Sequence, residues 1–198
     1  MTGDDPRVER WLRLLLSTPG LTSVASLAEA RRVHLDSSLG GLEAVRAFGG
    51  PIVDVGAGGG APGIPLAAAL PECEVTLLEA NARKCEFLEL VARDFPNVRA
   101  LRGRAEEQAT DEYGVAVAKA LASPPVATEL CLPLVRPGGA VVLYAGPSAE
   151  LERVGAAAAL VGGGRPERCG GVLVIAKISP TPAGFPRRPG MAKKRPLA

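Results

Sequence analysis

The stretch DVGAGGGAPG, Asp54 to Gly63, places five glycines in ten positions directly after the apolar run PIVDV. Glycine reaches positive φ without steric cost and removes the side chain that would hold a ligand away. A loop of this kind at a strand end marks a point where something approaches the backbone closely. Outward from it, EVTLLE and VRAL read as strands, with GIPLAAAL and NARKCEFLELVARDF as the helices between them. GVAVAK is a strand, SPPVATELCLPLV a helix and PGGAVVLY a strand. A helix over SAELERVGAAAAL and a strand over GVLVIAKI follow. Such alternation predicts an α/β fold, a parallel sheet with helices on both faces. Ligands in such folds sit beyond the carboxyl ends of the strands, where the direction of winding reverses.

Ahead of the loop the pattern is helical. Asp5 caps a helix with Pro6 at its first position, and Trp11, Leu12, Leu15 and Leu16 form its apolar stripe. Ser26 and Glu29 form a capping box for a second short helix running toward His34. The 198 residues, 47% hydrophobic, suffice for one core, so a single domain is expected: a helical segment 1–48, a Rossmann-like core 49–178 and a tail 179–198. The N-terminus MTGDDPRVERW carries acids where a signal peptide needs a basic and then an apolar run, and no apolar stretch is long enough to span a membrane. A cytoplasmic protein is expected, and nothing demands more than a monomer.

Cys73, Cys85, Cys131 and Cys169 lie far apart with a single histidine, so they read as buried free thiols rather than a zinc site or disulfide framework. Of the net charge of +2, six positive charges and no acid lie between Lys177 and Ala198, leaving −4 for residues 1–176. A basic, proline-rich end on a mildly acidic body suits a polyanionic partner; the plainer reading is a solvated terminus.

Two ligands exploit a glycine loop after the first strand. A dinucleotide rests its pyrophosphate on the next helix, and Gly58, Gly60 and Gly63 satisfy G-x-G-x-x-G; S-adenosylmethionine instead needs room for its amino-acid end and ribose. Glu79, ending the second strand, can accept both ribose hydroxyls of either. Asp54 separates them: a carboxylate there repels pyrophosphate but can hold a loop amide or face an ammonium group.

Asp54 to Pro65, with LLEANARKCEFL, GRAEE, AKALA, LCLPLVRPGG and PTPAGFPRRPGMAKKRPL, resembles the bacterial 16S ribosomal RNA guanine-N7 methyltransferase family RsmG, also called glucose-inhibited division protein B. LTSV and HLDSSL extend the resemblance to about Trp11. It implies a seven-stranded S-adenosylmethionine-dependent methyltransferase sheet with short N-terminal helices, acting on one guanosine of the 30S subunit's 16S RNA. Gly56 and Ala61 match family positions touching the cofactor, Ala105 and Glu106 the pair at its adenine, and Lys119 a third contact where the family usually has arginine. Lysine keeps the charge and loses the planar fork.

Guanine N7 has an in-plane lone pair and no proton, so the implied reaction needs no general base and no catalytic residue is assigned; positioning carries it. His34 reads as a structural hydrogen-bonding group, and Asp36 with Ser37 as a cap or turn pair. RNA contact is expected from Arg187, Arg188, Lys193, Lys194 and Arg195, with Arg83 and Lys84, and Phe185 as a stacking candidate or as packing for the tail. Two other functions fit the same residues: a non-catalytic RNA-binding or ribosome-assembly protein, and a nicotinamide-dependent oxidoreductase.

Overall fold

The computed structural model describes residues 5–198, so Met1 to Asp4 of the acidic N-terminal stretch lie outside it. Helix α1, Pro6–Ser17, begins at Asp5, whose carboxylate accepts from the Arg7 amide, with proline at the first position. Ser26 forms one half of the expected capping box, accepting from the Glu29 amide at 3.2 Å, and starts α2, Leu27–Ala30. The chain then widens into a π-helix, Arg31–Asp36, and tightens into α3, Ser37–Leu39; α4, Leu42–Phe48, follows. Strand β1, Ile52–Val55, leads through the glycine loop into α5, Gly63–Ala69. Next come β2, Val75–Glu79, α6, Ala82–Ala92, β3, Val98–Arg102, and β4, Tyr113–Lys119. Helix α7, Pro124–Cys131, passes into a 3-10 turn at Pro133, which cannot donate to the α-helical ladder, and β5, Val135–Tyr144, follows. Helix α8, Leu151–Leu160, the strands β6, Gly163–Cys169, and β7, Val172–Lys177, and the one-turn α9, Met191–Lys194, complete the chain.

The strands form one sheet in the order β3-β2-β1-β4-β5-β7-β6. β1 to β5 are parallel, but β7 runs antiparallel to both β5 and β6, so the wholly parallel sheet expected from the alternation is corrected to a mixed one. The cause is β6, which the sequence pattern did not reveal. GGRPERC has glycine, proline and charges where a strand signal needs β-branched residues, a composition tolerated only at a sheet edge. The turn through Gly170 and Gly171 is too short for a crossover, so β6 and β7 pair as a hairpin.

Side chains alternate across the sheet and build two cores. Ile52, Val75, Leu77, Val115 and Val117 face α1 to α6, while Val53, Val55, Leu78, Ala116 and Ala118 face α7 and α8. By the same alternation Asp54 falls on the first face, a carboxylate in an apolar position with 1% exposure. The tail is no free terminus. Phe185 and Leu197 pack on the second core and Ala192 is buried, which gives Phe185 the packing role rather than that of an exposed stacking platform.

Cys85 and Cys131 are buried thiols as expected, Cys73 is half-buried, and Cys169 on the edge strand is exposed. No helix among the described residues is long and apolar enough to cross a membrane.

Candidate functional site

In the sheet order β1 and β4 are neighbours whose following connections leave in opposite directions, the arrangement that opens a crevice at the strands' carboxyl ends. Two adjoining clefts lie there. One, of about 300 Å³, is lined by Gly56, Glu79, Lys84, Ala105, Glu106, Leu121 and residues of the tail. The other, of about 220 Å³, is bounded by Gly56, Gly58, Ala61, Lys84, Lys119 and His34. The structure thus brings together most of the residues proposed from sequence for a cofactor.

Two lie elsewhere. Gly60 closes the loop's turn by donating its amide to the Ala57 carbonyl at 2.7 Å, and among the described residues it borders neither cleft. Asp54 lies beneath the loop, where its Oδ2 accepts the Gly63 amide at 2.8 Å. Gly63 permits this close approach: a Cβ there would lie 2.3 Å from a Leu77 methyl and 2.8 Å from Asp54 Oδ2. The other oxygen, Oδ1, is buried without a partner.

Glu79 holds the loop from the other side. Its Oε2 accepts the Gly58 amide at 3.0 Å and its Oε1 the Asn81 amide at 2.8 Å. A carboxylate has about four lone-pair sites, so each oxygen retains capacity for a hydroxyl donor. A third tether is the Trp11 indole, which donates to the Gly59 carbonyl at 2.8 Å and joins α1 to the loop. Lys119 leaves the end of β4 and donates to the Val33 carbonyl at 2.8 Å and to Ser37 Oγ at 2.7 Å, pinning the π-helix over the second cleft. His34 lies within 2.8 Å of Thr22 Oγ1, the structural partner expected for it. Burial and the Lys119 charge hold its pKa below the usual histidine value.

Burial pushes the Asp54 carboxyl up to about 7, with Glu79 adding to the shift, while the Gly63 amide and Lys119 oppose it. The folded value lies above the unfolded one near 4, so the folded chain holds a proton that the unfolded chain sheds. The group's contribution to stability is full below about pH 4 and is lost as pH rises toward 7, at no more than about 1.4 kcal/mol per pH unit. Asp54→Asn keeps an acceptor for Gly63 and cannot ionise. Urea unfolding at pH 4.5, 6 and 7.5 is expected to give the variant a flatter profile than the parent; parallel profiles would refute the buried ionisation.

The tail carries the basic residues. Arg188, Lys193, Lys194 and Arg195 are exposed. Arg187, however, gives Nε and Nη2 to the buried Glu129 carboxylate at 2.6 and 2.7 Å, which takes it out of the RNA-facing set and makes it an anchor. Glu129 was not singled out from sequence, although a lone acid inside the apolar run PPVATELCLPL is the signal that reveals it. No group of three or more His, Cys, Asp or Glu among the described residues could hold a metal.

The fold is that of solved methyltransferases. The T. thermophilus 16S rRNA N2 G1207 methyltransferase superposes with a TM-score of 0.56 at 22% identity, over 74% of this chain and 40% of that one. A ribosomal protein L11 methylase of Lactobacillus delbrueckii subsp. bulgaricus gives 0.55 at 17% identity, over 72% and 77%. Sheet, glycine loop and crevice therefore define a methyltransferase-type α/β domain. The family model described as rRNA small subunit methyltransferase G matches residues 8–162. Ribosomal RNA small subunit methyltransferase G of Synechococcus sp. (strain JA-2-3B'a(2-13)) is 36% identical over 91% of this chain and 79% of its own length, and that of Alkaliphilus metalliredigens 32% over 98% and 92%. The chain belongs to the rRNA small subunit methyltransferase G family, which makes it an enzyme and sets aside the nicotinamide-dependent reading.

Proposed function

We propose that the chain transfers the methyl group of S-adenosylmethionine to N7 of one guanosine in 16S ribosomal RNA. The observation that carries this reading is the paired cleft at the ends of β1, β2 and β4, with a glycine loop held between the Glu79 carboxylate and Trp11. The residues fit the cofactor. Glu79 keeps acceptors for ribose hydroxyls, and Gly56 and Ala105 line the cleft without a bulky side chain. The Glu79 carboxylate at this loop suits hydroxyl donors and a cationic ligand far better than a pyrophosphate.

When bound, S-adenosylmethionine supplies an electrophilic methyl on a sulfonium. The chain's task is to align the guanine with it and exclude water, a contribution of up to about 7–11 kcal/mol in well-oriented systems. Guanine N7 carries no proton, so no side chain needs to accept one. A further cleft of about 410 Å³, lined by Ser123, Pro124 and Tyr144, shares Ala120 and Leu121 with the cofactor cleft. It is the proposed seat of a splayed base. Arg188, Lys193, Lys194 and Arg195, all exposed and with Lys193 in the lining of the cofactor cleft, are the proposed phosphate contacts, together with Lys84, which lines both cofactor clefts.

The test is transfer of labelled methyl to 30S subunits and to deproteinised 16S RNA from cells lacking the enzyme, with the product mapped by N7-specific cleavage. Modification of a single guanosine is expected. Cofactor binding without transfer on either substrate would favour an assembly factor that keeps the fold. Replacing Arg188, Lys193 and Lys194 together by alanine is expected to weaken RNA binding and lower the salt slope by about three units, with cofactor binding retained; an unchanged slope would remove the tail from the interface.

A further inference from the structure

The tail reaches the cofactor cleft itself. Gly190, Ala192 and Lys193 form part of its lining, Ala192 is 2% exposed, and the Gly190 amide donates to Glu106 Oε1 at 2.9 Å. Glu106, which the family resemblance implies at the adenine, is therefore already bound to the tail. What holds the tail in this place is the ion pair on its underside. Glu129 on α7 has a side chain 3% exposed and takes both forks of Arg187, whose Nη2 also donates to the Arg195 carbonyl at 2.8 Å. One guanidinium thereby closes residues 187–195 into a loop and seats that loop on α7. Leu130, the residue next to Glu129, lines the cleft from the α7 side.

We infer that the Arg187–Glu129 pair is a positioning device for the cofactor: it clamps the segment 187–195 as one wall of the cofactor cleft, built from the same segment that carries the exposed Arg188, Lys193, Lys194 and Arg195. Cofactor inside the cleft and phosphate outside it then bear on one element, so each favours the clamped position and each raises affinity for the other. Neither Arg187 nor Glu129 touches the reacting atoms. A bidentate pair suits the role because its geometry is fixed in two dimensions, whereas lysine at 187 would leave the segment free to swing.

The inference rests on the cofactor reading above, and the experiment separates the two. Calorimetry of the unaltered chain with S-adenosylmethionine comes first; absence of binding would overturn both. With binding established, trypsin cleavage after Lys193 and Lys194 is followed on the unaltered chain with and without cofactor. Cofactor is expected to slow these cuts at least tenfold relative to cuts elsewhere, and equal rates would overturn the clamp. Removing one partner alone strands a buried charge and risks the fold, so the informative variant is Arg187→Met with Glu129→Leu, which removes both charges together. It is expected to stay folded, with KM for S-adenosylmethionine raised tenfold or more and kcat at saturating cofactor within about threefold of the parent. Arg187→Lys should lie between. A folded double variant with unchanged KM would reduce the pair to an ordinary structural contact and refute the inference.

Discussion

Replacing Lys177 with alanine is expected to destabilise the chain by about 3–5 kcal/mol, the range for removing one partner of a buried ion pair. Lys177 ends β7 with its side chain wholly buried. Its ammonium donates to the carbonyls of Leu132 at 2.9 Å and Val161 at 3.2 Å, the residues that cap the carboxyl ends of α7 and α8. Two helix termini thus direct their negative ends at one cation, and the Asp111 carboxylate lies 3.2 Å away. Thr181 completes the node. Its hydroxyl accepts from Lys177 at 2.7 Å and its amide donates to Asp111, which fastens the start of the tail. Burial holds the Lys177 pKa below the usual lysine value, and the Asp111 carboxylate opposes that shift. Without the amine, two helix-end carbonyls and a carboxylate lose their donor together. Against a total stability of about 5–15 kcal/mol, the loss should lower the midpoint of thermal unfolding by roughly 6–20 °C. Lys177→Met with Asp111→Asn removes both charges and should recover part of the loss, asparagine being tolerant of the left-handed φ of 59° at position 111. A midpoint within 2–3 °C of the parent for Lys177→Ala would mean that water reaches the node and replaces the amine.

Lys177 also illustrates what the sequence could and could not convey. VLVIAK was readable as a strand from its β-branched run, but a lysine at its end reads as a solvated charge; only the arrival of two helix ends from distant segments makes it a buried node. The same holds for Arg187, which composition grouped with the tail's solvent-facing cations and which Glu129, 58 positions away, draws inward. Local signals were read well where they were strong. Each run read as a strand became one, the Asp5–Pro6 helix start is present, and Gly56 and Glu79 meet at the crevice. What failed was non-local or compositionally weak: the edge strand β6, the reversed direction of β7, and the π-helix that brings the Val33 carbonyl to Lys119. An inserted residue widening a helix leaves no periodic trace in six residues, so its position is set by the partner it meets.

Gly56→Ala is expected to lower affinity for S-adenosylmethionine by about ten- to a hundredfold, the scale of losing one or two good contacts. Gly56 has a φ of 73°, and a Cβ built there would lie 2.6 Å from Cδ1 of Leu121. The left-handed conformation costs an alanine about 1–2 kcal/mol, a modest loss to a fold of this size. The larger effect is on the cleft. Leu121 is a flexible side chain that lines both the cofactor cleft and the neighbouring base cleft, so relieving the clash moves its methyl groups into space meant for ligands. The backbone cannot yield instead, because the Gly56 amide donates to the Leu78 carbonyl at 2.8 Å and ties the loop to β2. Titration of the variant with S-adenosylmethionine reads the loss directly, with urea unfolding reporting the smaller cost in stability. Adding Leu121→Ala removes the clashing methyl groups and should restore most of the affinity, but not the stability, since the strain at position 56 remains. Full affinity in Gly56→Ala alone would mean that Leu121 has room to turn elsewhere. A double variant as weak as the single one would shift the cause from Leu121 to the loop backbone, leaving the absence of a side chain at Gly56 as a requirement of the loop itself.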